Sequence, residues 1–265
     1  TAGCNEVNPA NHLFRSDALD VLGFNYHERY FEPFLRNFPG KKLIVSESTS
    51  ALMTRGYYEM PSDHIYIRPE SWDKPFEAPE HVCSSYDNCH VPWGSTHEKT
   101  WHLVKTLPHV SGLFVWTGFD YLGEPTPYWW PSRSSFFGIV DLVGFPKDIY
   151  YMYKSEWTNE PVLHIFPHWN WKESEPVDIW AYYNNADEVE LYLNGKSLGV
   201  RQKTDSTYHV SWRVPFTPGT LKAVSRLGGK EVLVKEIHTA GEPARLVLTP
   251  DRSVIQADGS DLSFV

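Results

Sequence analysis

The chain has 265 residues, 41% hydrophobic and 22% charged, with a net charge of −9. That balance is globular, with length for one barrel or two to three smaller domains. No basic block tracks a phosphate backbone, which argues against nucleic acid as a partner. No apolar run reaches the ~20 residues of a membrane-spanning helix. Aromatic residues make up 15% of the chain, and rings with polar tips suit sugar stacking and β-sandwich cores alike.

Residues 1–6 read as the tail of a strand, and residues 19–26 as a second strand ending in polar groups. Phe31, Phe34, Leu35 and Phe38 predict a short helix with one apolar side, stopped by Pro39-Gly40. Leu43-Ile44-Val45-Ser46-Glu47 is too short for a helix and rich in β-branched residues, so it is the third strand. A long irregular stretch from about 49 to 94 follows, of a length that is uncommon and often functional. Ser95 and Glu98 have the spacing of a capping box, opening a helix whose buried side carries Trp101, Val104 and Leu107. Residues 113–116 begin a fourth strand. Strands alternating with helices imply a parallel sheet.

From about residue 158 short alternating strands replace helices: 162–166, 177–183, 189–193, 208–214, 221–226 and 231–237. Asn194-Gly195 between two such runs is a strong hairpin signal. Together they suggest an immunoglobulin-like sandwich. Gly241-Glu242-Pro243 reads as a linker, and residues 244–265 as the start of another β segment.

The three cysteines are too few for a disulfide framework. Cys83 and Cys89 share one polar loop and are either a pair or two free thiols. His97 and His102 lie five apart rather than four and leave the shared helix face, so no metal is read there. Neither metal nor cofactor is expected. No leader sequence is visible.

Glu47 stands out. A carboxylate ending a buried strand sits at the mouth of a sheet, where α/β folds keep their chemistry. Glu47 is therefore read as a catalytic carboxylate of a sugar-cleaving enzyme; the plain alternative is a Glu that solvates a strand end.

Three stretches carry a wider likeness: Asp20-Val21-Leu22-Gly23-Phe24-Asn25-Tyr26, Leu43-Ile44-Val45-Ser46-Glu47, and Gly112-Leu113-Phe114-Val115-Trp116-Thr117-Gly118-Phe119-Asp120-Tyr121. They resemble the sixth, seventh and eighth barrel strands of glycoside hydrolase family 2, the β-galactosidase and β-glucuronidase family. Gly138-Ile139-Val140-Asp141 and the stretch from Pro146 to Tyr153 resemble its closing turn and last helix. The resemblance implies the C-terminal half of a (β/α)8 TIM barrel over 1–157, an accessory immunoglobulin-like sandwich over 158–240, and a linker with the start of a further β-sandwich over 241–265. It also implies that a missing N-terminal half, or a neighbouring subunit, covers the open sheet, and that this piece alone is inactive.

By the same resemblance Glu47 is the nucleophile of a retaining hydrolase, and Trp116 forms the floor of the sugar site. The Tyr26 hydroxyl is placed to hydrogen-bond Glu47. Asn25 flanks Tyr26 as a substrate contact, although strand alternation points the two apart. Asn5-Glu6 mimics the family's acid/base pair, but counting strands back from Glu47 puts it on the fifth strand, so Glu6 is read as a rim or sugar-contact residue. Asp120 and Glu124 lie just beyond, in the loop after the eighth strand. The β-glucuronidases of the family carry an Asn-x-Lys before the Gly-Ile after the eighth strand. Here Ser134-Ser135-Phe136-Phe137 stands there, which favours a neutral sugar, galactose first. A β-glucuronidase, a β-mannosidase or a non-catalytic carbohydrate-binding module are the alternatives. Such bacterial enzymes are often exported, so a periplasmic or secreted location is the expectation.

Overall fold

The computed structural model describes residues 1–71, 73–74 and 76–265; Trp72 and Pro75, within the long irregular stretch, lie outside the described residues. In chain order its first part contains β1 (Ala2–Cys4), α1 (His12–Arg15), β2 (Val21–Asn25), α2 (Phe34–Asn37) and β3 (Lys42–Thr49). The pair β4 (Tyr66–Ile67) and β5 (Cys89–His90), α3 (His97–Thr106), β6 (Val110–Trp116) and α4 (Asp148–Trp157) complete it. Strands β1, β2, β3 and β6 form one parallel sheet in that order. Alternation gives the sheet two unlike faces. Leu22, Phe24, Leu43 and Val45 point to the helices and pack with Phe14, Phe34, Phe38 and Val104. Gly3, Gly23, Asn25 and Ser46 line the other face, where Ser46 Oγ lies 2.8–2.9 Å from where a Cβ on either glycine would sit.

Two local expectations are corrected. The helix expected around Phe31–Phe38 is only four residues long, because Pro33 stands immediately before it. Phe31, Phe34 and Phe38 are buried, but Leu35 is 56% exposed. Leu35 follows Phe34 by one residue, about 100° round the helix, and so faces away from the buried side. The capping box at Ser95 does not form either. Thr96 is the cap, its side chain accepting from the Lys99 N–H. Asp87, from the preceding loop, accepts from the N–H groups of His97 and Glu98 at 2.8 Å each. Glu98 turns instead to His209, at 2.6 Å.

Asp87 confers a pH dependence. Burial pushes its carboxyl up to about 7 from the ordinary 3.8, and the Glu98 charge adds to this, while the two N–H groups oppose it. A carboxyl with a raised folded-state pKa contributes stability that is fully present below about pH 4 and is lost as pH rises through about 7. Asp87→Asn removes that term. The fall in Tm between pH 5 and pH 8 is expected to be smaller in the variant than in the wild type; equal falls would contradict the assignment.

The second part contains β7 (Leu163–Phe166), β8 (Pro176–Tyr183), β9 (Glu188–Leu193), β10 (Lys196–Arg201), β11 (His209–Pro215), β12 (Thr220–Leu227) and β13 (Lys230–His238). They form two antiparallel sheets, β11-β8-β7 and β10-β9-β12-β13, face to face over one core. Ile179, Ala181 and Trp212 from one sheet meet Leu191, Leu221 and Ala223 from the other. The Asn194-Gly195 hairpin forms, joining β9 to β10, with φ of 50° and 80° as a type I′ turn requires.

Strand β8 is buried on both faces. Its outward Trp180 and Tyr182 pack with Ile149, Met152 and Tyr153 of α4 and with Tyr86. Asp178, also on β8, pairs with Arg213 at 2.6 Å and accepts from the Ser62 N–H at 2.7 Å. The irregular stretch is thereby tied to the sandwich. Residues 239–265 contain no strand, and Leu246, Leu248 and Phe264 are exposed.

Candidate active site

Glu47 lies near the C-terminal end of β3, half-buried, with Asn25 as its register partner at the end of β2. The pairing jumps from Phe24–Val45 to Asn25–Glu47, so Ser46 is the extra residue of a bulge. The bulge turns both Ser46 and Glu47 toward Asn25. Ser46 Oγ donates to Asn25 Oδ1 at 2.7 Å. Asn25 Nδ2 donates to Glu47 Oε1 and to Asn5 Oδ1, both at 3.0 Å. With its oxygen engaged by the serine, the Asn25 amide presents only its N–H groups to Glu47.

Tyr26 reaches the same carboxylate from the other side. Tyr26 and His27 have φ of 59° and 60°, so β2 ends in a left-handed turn. Simple alternation predicted that Asn25 and Tyr26 would point apart; the turn removes the alternation and lets both approach Glu47. The Tyr26 N–H donates to the Glu47 carbonyl at 2.8 Å, and Ser50 Oγ donates to the Tyr26 oxygen at 2.9 Å. Burial first, and then the charge and hydrogen bond of Glu47, push the Tyr26 hydroxyl well above its usual range, against Ser50 and Trp93. Tyr26 therefore stays protonated and acts as a donor to the carboxylate.

Trp116 closes β6, paired in register with Thr49 just past Glu47. It packs against Leu52, Tyr128 and Phe137, and its ring meets Tyr121 edge-on at 6.0 Å. Glu6 stands apart from this group: it is exposed beyond β1, its carboxylate bonded by Asn8 and its carbonyl by Asn11. Asp120 makes a buried ion pair with Lys147 at 2.8 Å, and Glu124 is bonded by the Tyr121 hydroxyl. Cys83 and Cys89 are free and buried in the Trp116 cluster. His97 and His102 bond to Tyr153 and Tyr208, respectively.

Sequence reasoning missed Asn5, Ser46, Ser50 and Trp93. Gly3 and Gly23 were the available signal for Ser46, because a Cβ at Gly23 would meet the Ala2 carbonyl at 2.5 Å and Ser46 Oγ at 2.8 Å. An amide from one side and a phenol from another fix the orientation of the Glu47 carboxylate at the mouth of the parallel sheet.

Residues 174–233 match a family model described as a domain of unknown function, DUF4982. The whole chain is 61% identical to β-galactosidase BoGH2A of Bacteroides ovatus, covering 31% of that protein. A β-glycosidase structure from Bacteroides vulgatus is 32% identical with a TM-score of 0.77, over 91% of this chain and 33% of that one. A glycosyl hydrolase family 2 member from Bacteroides cellulosilyticus is 28% identical with a TM-score of 0.63, over 92% of this chain and 29% of that one. The chain is a homologue of glycoside hydrolase family 2 enzymes, matched along its whole length and spanning about a third of theirs.

Proposed function

We propose that this chain is the nucleophile-bearing part of a retaining exo-β-galactosidase. The observation that carries the reading is the Glu47 carboxylate, held by Asn25 and approached by Tyr26 at the C-terminal end of a parallel strand. Glu47 attacks the anomeric carbon while a second carboxyl, about 5–5.5 Å away, protonates the leaving oxygen; the same carboxyl then deprotonates the water that releases the sugar. That acid/base comes from a segment outside this chain, and Glu6 serves at the rim. Trp116 forms the floor of the sugar site.

The architecture follows from the same reading. Residues 1–157 are the C-terminal half of a TIM barrel, 158–240 an immunoglobulin-like sandwich, and 241–265 a linker with the start of another β unit. The outer strands β1 and β6 pair with no further strand among the described residues, and open edges call for a partner. The missing barrel half supplies it, so the 265-residue chain alone does not turn over substrate.

Galactose is favoured by the Ser134-Ser135-Phe136-Phe137 stretch. Ser135 is buried and its hydroxyl accepts from the Tyr121 N–H at 3.1 Å, and the Lys147 ammonium beside Phe136 is engaged by Asp120 rather than open to a uronic acid. The test is a panel of 4-nitrophenyl β-galactoside, glucuronide and mannoside with the full-length enzyme, with NMR of the first-formed product. Hydrolysis of the galactoside with β-galactose appearing first supports the reading. Preference for the glucuronide, or α-galactose first, overturns it.

Tyr26→Phe removes the hydroxyl donor and leaves the ring. A hydrogen bond to a charged group is worth about 1.5–3 kcal/mol, so kcat/KM of the full-length enzyme is expected to fall about ten- to a hundredfold. An unchanged kcat/KM would show that Tyr26 does not support Glu47.

A further inference from the structure

Each donor to the Glu47 carboxylate could face it the wrong way. An amide turned over presents its oxygen, and a phenol can swing its proton aside. Two serines close off both alternatives, Ser46 immediately before Glu47 and Ser50 shortly after it. Ser46 Oγ donates to Asn25 Oδ1 at 2.7 Å, which leaves Asn25 Nδ2 to donate to Glu47 Oε1 at 3.0 Å. Ser50 Oγ donates to the Tyr26 oxygen at 2.9 Å. Trp93, whose indole can only donate, hydrogen-bonds the same oxygen. With its accepting side filled twice, the Tyr26 hydroxyl keeps its proton for Glu47.

Placing Ser50 there takes a backbone that few side chains adopt. Thr49 and Ser50 follow one another at φ of 68° and 49°, both left-handed. Such a pair persists only where its surroundings over-determine it. Here the end of the long irregular stretch holds it. The Ser95 N–H donates to the Thr49 carbonyl at 2.7 Å, and the Val91 N–H to the Ser50 carbonyl at 3.3 Å. Gly94 lets this segment come so close, because a Cβ there would collide with the Thr49 carbonyl. The same segment carries Trp93 to Tyr26. Ser50 itself is buried, its hydroxyl spent on the residue that holds the carboxylate.

We propose that Ser46 and Ser50 are positioning residues for Glu47. Ser46 fixes which end of the Asn25 amide faces the carboxylate. Ser50, with Trp93, fixes where the Tyr26 proton points. Each serine acts through the group it bonds and not on the sugar. The inference rests on Glu47 as the nucleophile of the reading above, and adds the residues that set the direction of its donors.

The test is a pair of double-variant cycles in the full-length enzyme, on whichever 4-nitrophenyl glycoside of the panel above the wild type cleaves. Ser46→Ala is expected to lower kcat/KM about tenfold alone, and by no more than about twofold when Asn25 is already Ala. Ser50→Ala is expected to lower it about fivefold alone, and by no more than about twofold in a Tyr26→Phe enzyme. Labelling by the matching 2-deoxy-2-fluoro glycoside is expected to slow by the same factors, because positioning acts on the attack itself. Each cycle decides for its own serine. A serine that serves packing alone gives the same factor with and without its partner, and that result overturns its assignment, as does a single variant with wild-type kcat/KM. If Ser50→Ala does not fold, Ser50→Gly decides, since glycine suits the left-handed backbone and also lacks the hydroxyl. A wild-type enzyme that cleaves no glycoside of the panel refutes the nucleophile reading itself, which is a separate failure.

Discussion

Replacing Glu47 by Gln in the full-length enzyme is expected to lower kcat by about four to six orders of magnitude, the range seen when a covalent nucleophile is removed. The fold has little reason to change. Glu47 is half-buried, and its side chain meets Asn25 and Tyr26, which an amide of the same shape still meets. Glu47→Ala gives the sharper readout. The space it leaves admits a small anion such as azide, which attacks the anomeric carbon from the nucleophile's side. The product is then the α-glycosyl azide, because one displacement inverts where two retain. A Glu47→Gln enzyme within about a hundredfold of wild type would remove Glu47 from the chemistry.

The second large effect is on stability. Lys147 is 1% exposed, and its ammonium meets the Asp120 carboxylate at 2.8 Å and the carbonyls of Met53 and Phe136 at 2.7 and 3.2 Å. Burial pulls the lysine's pKa down and pushes the aspartate's up, while each partner's charge opposes the shift of the other. The charged form prevails, because an ammonium with three donors finds three acceptors here. Asp120 also accepts from the Gly138 N–H at 2.8 Å, pinning the closing turn to the loop after β6. Asp120→Ala leaves the ammonium buried without its counter-charge and is expected to cost about 3–5 kcal/mol of stability. Adding Lys147→Met removes the stranded charge, and denaturant unfolding of the double variant is expected to recover most of that loss. A single variant as stable as wild type would show that the pair carries no structural load.

Much of this was legible in the sequence for physical reasons. β-Branched runs with turn residues around them marked the strands, and Asn194-Gly195 marked a hairpin that only left-handed residues can make. The carboxylate of Glu47 stood out because charge at the end of an apolar run is costly without a purpose. What the sequence hid was non-local. The bulge at Ser46 is one extra residue in a register, and no periodicity announces it. The left-handed turn at Tyr26-His27 puts Tyr26, a bulky residue with no preference for it, at positive φ. Asp87 caps a helix from ten residues upstream of His97, displacing the local capping box that Ser95 and Glu98 suggested. Leu35 failed because the helical pattern outran the helix. At Ser46 and at Asp87, non-local contacts overrode a local preference.

The most direct measurement uses a 2-deoxy-2-fluoro-β-galactoside with a good leaving group on the full-length enzyme. The trapped adduct is mapped by peptide mass spectrometry. The fluorine slows release of the sugar from the nucleophile, so the covalent intermediate of a retaining enzyme accumulates. One label is expected, on Glu47. A label on another carboxylate, or none from this compound and its gluco, manno and glucurono counterparts while the enzyme remains folded, would contradict it.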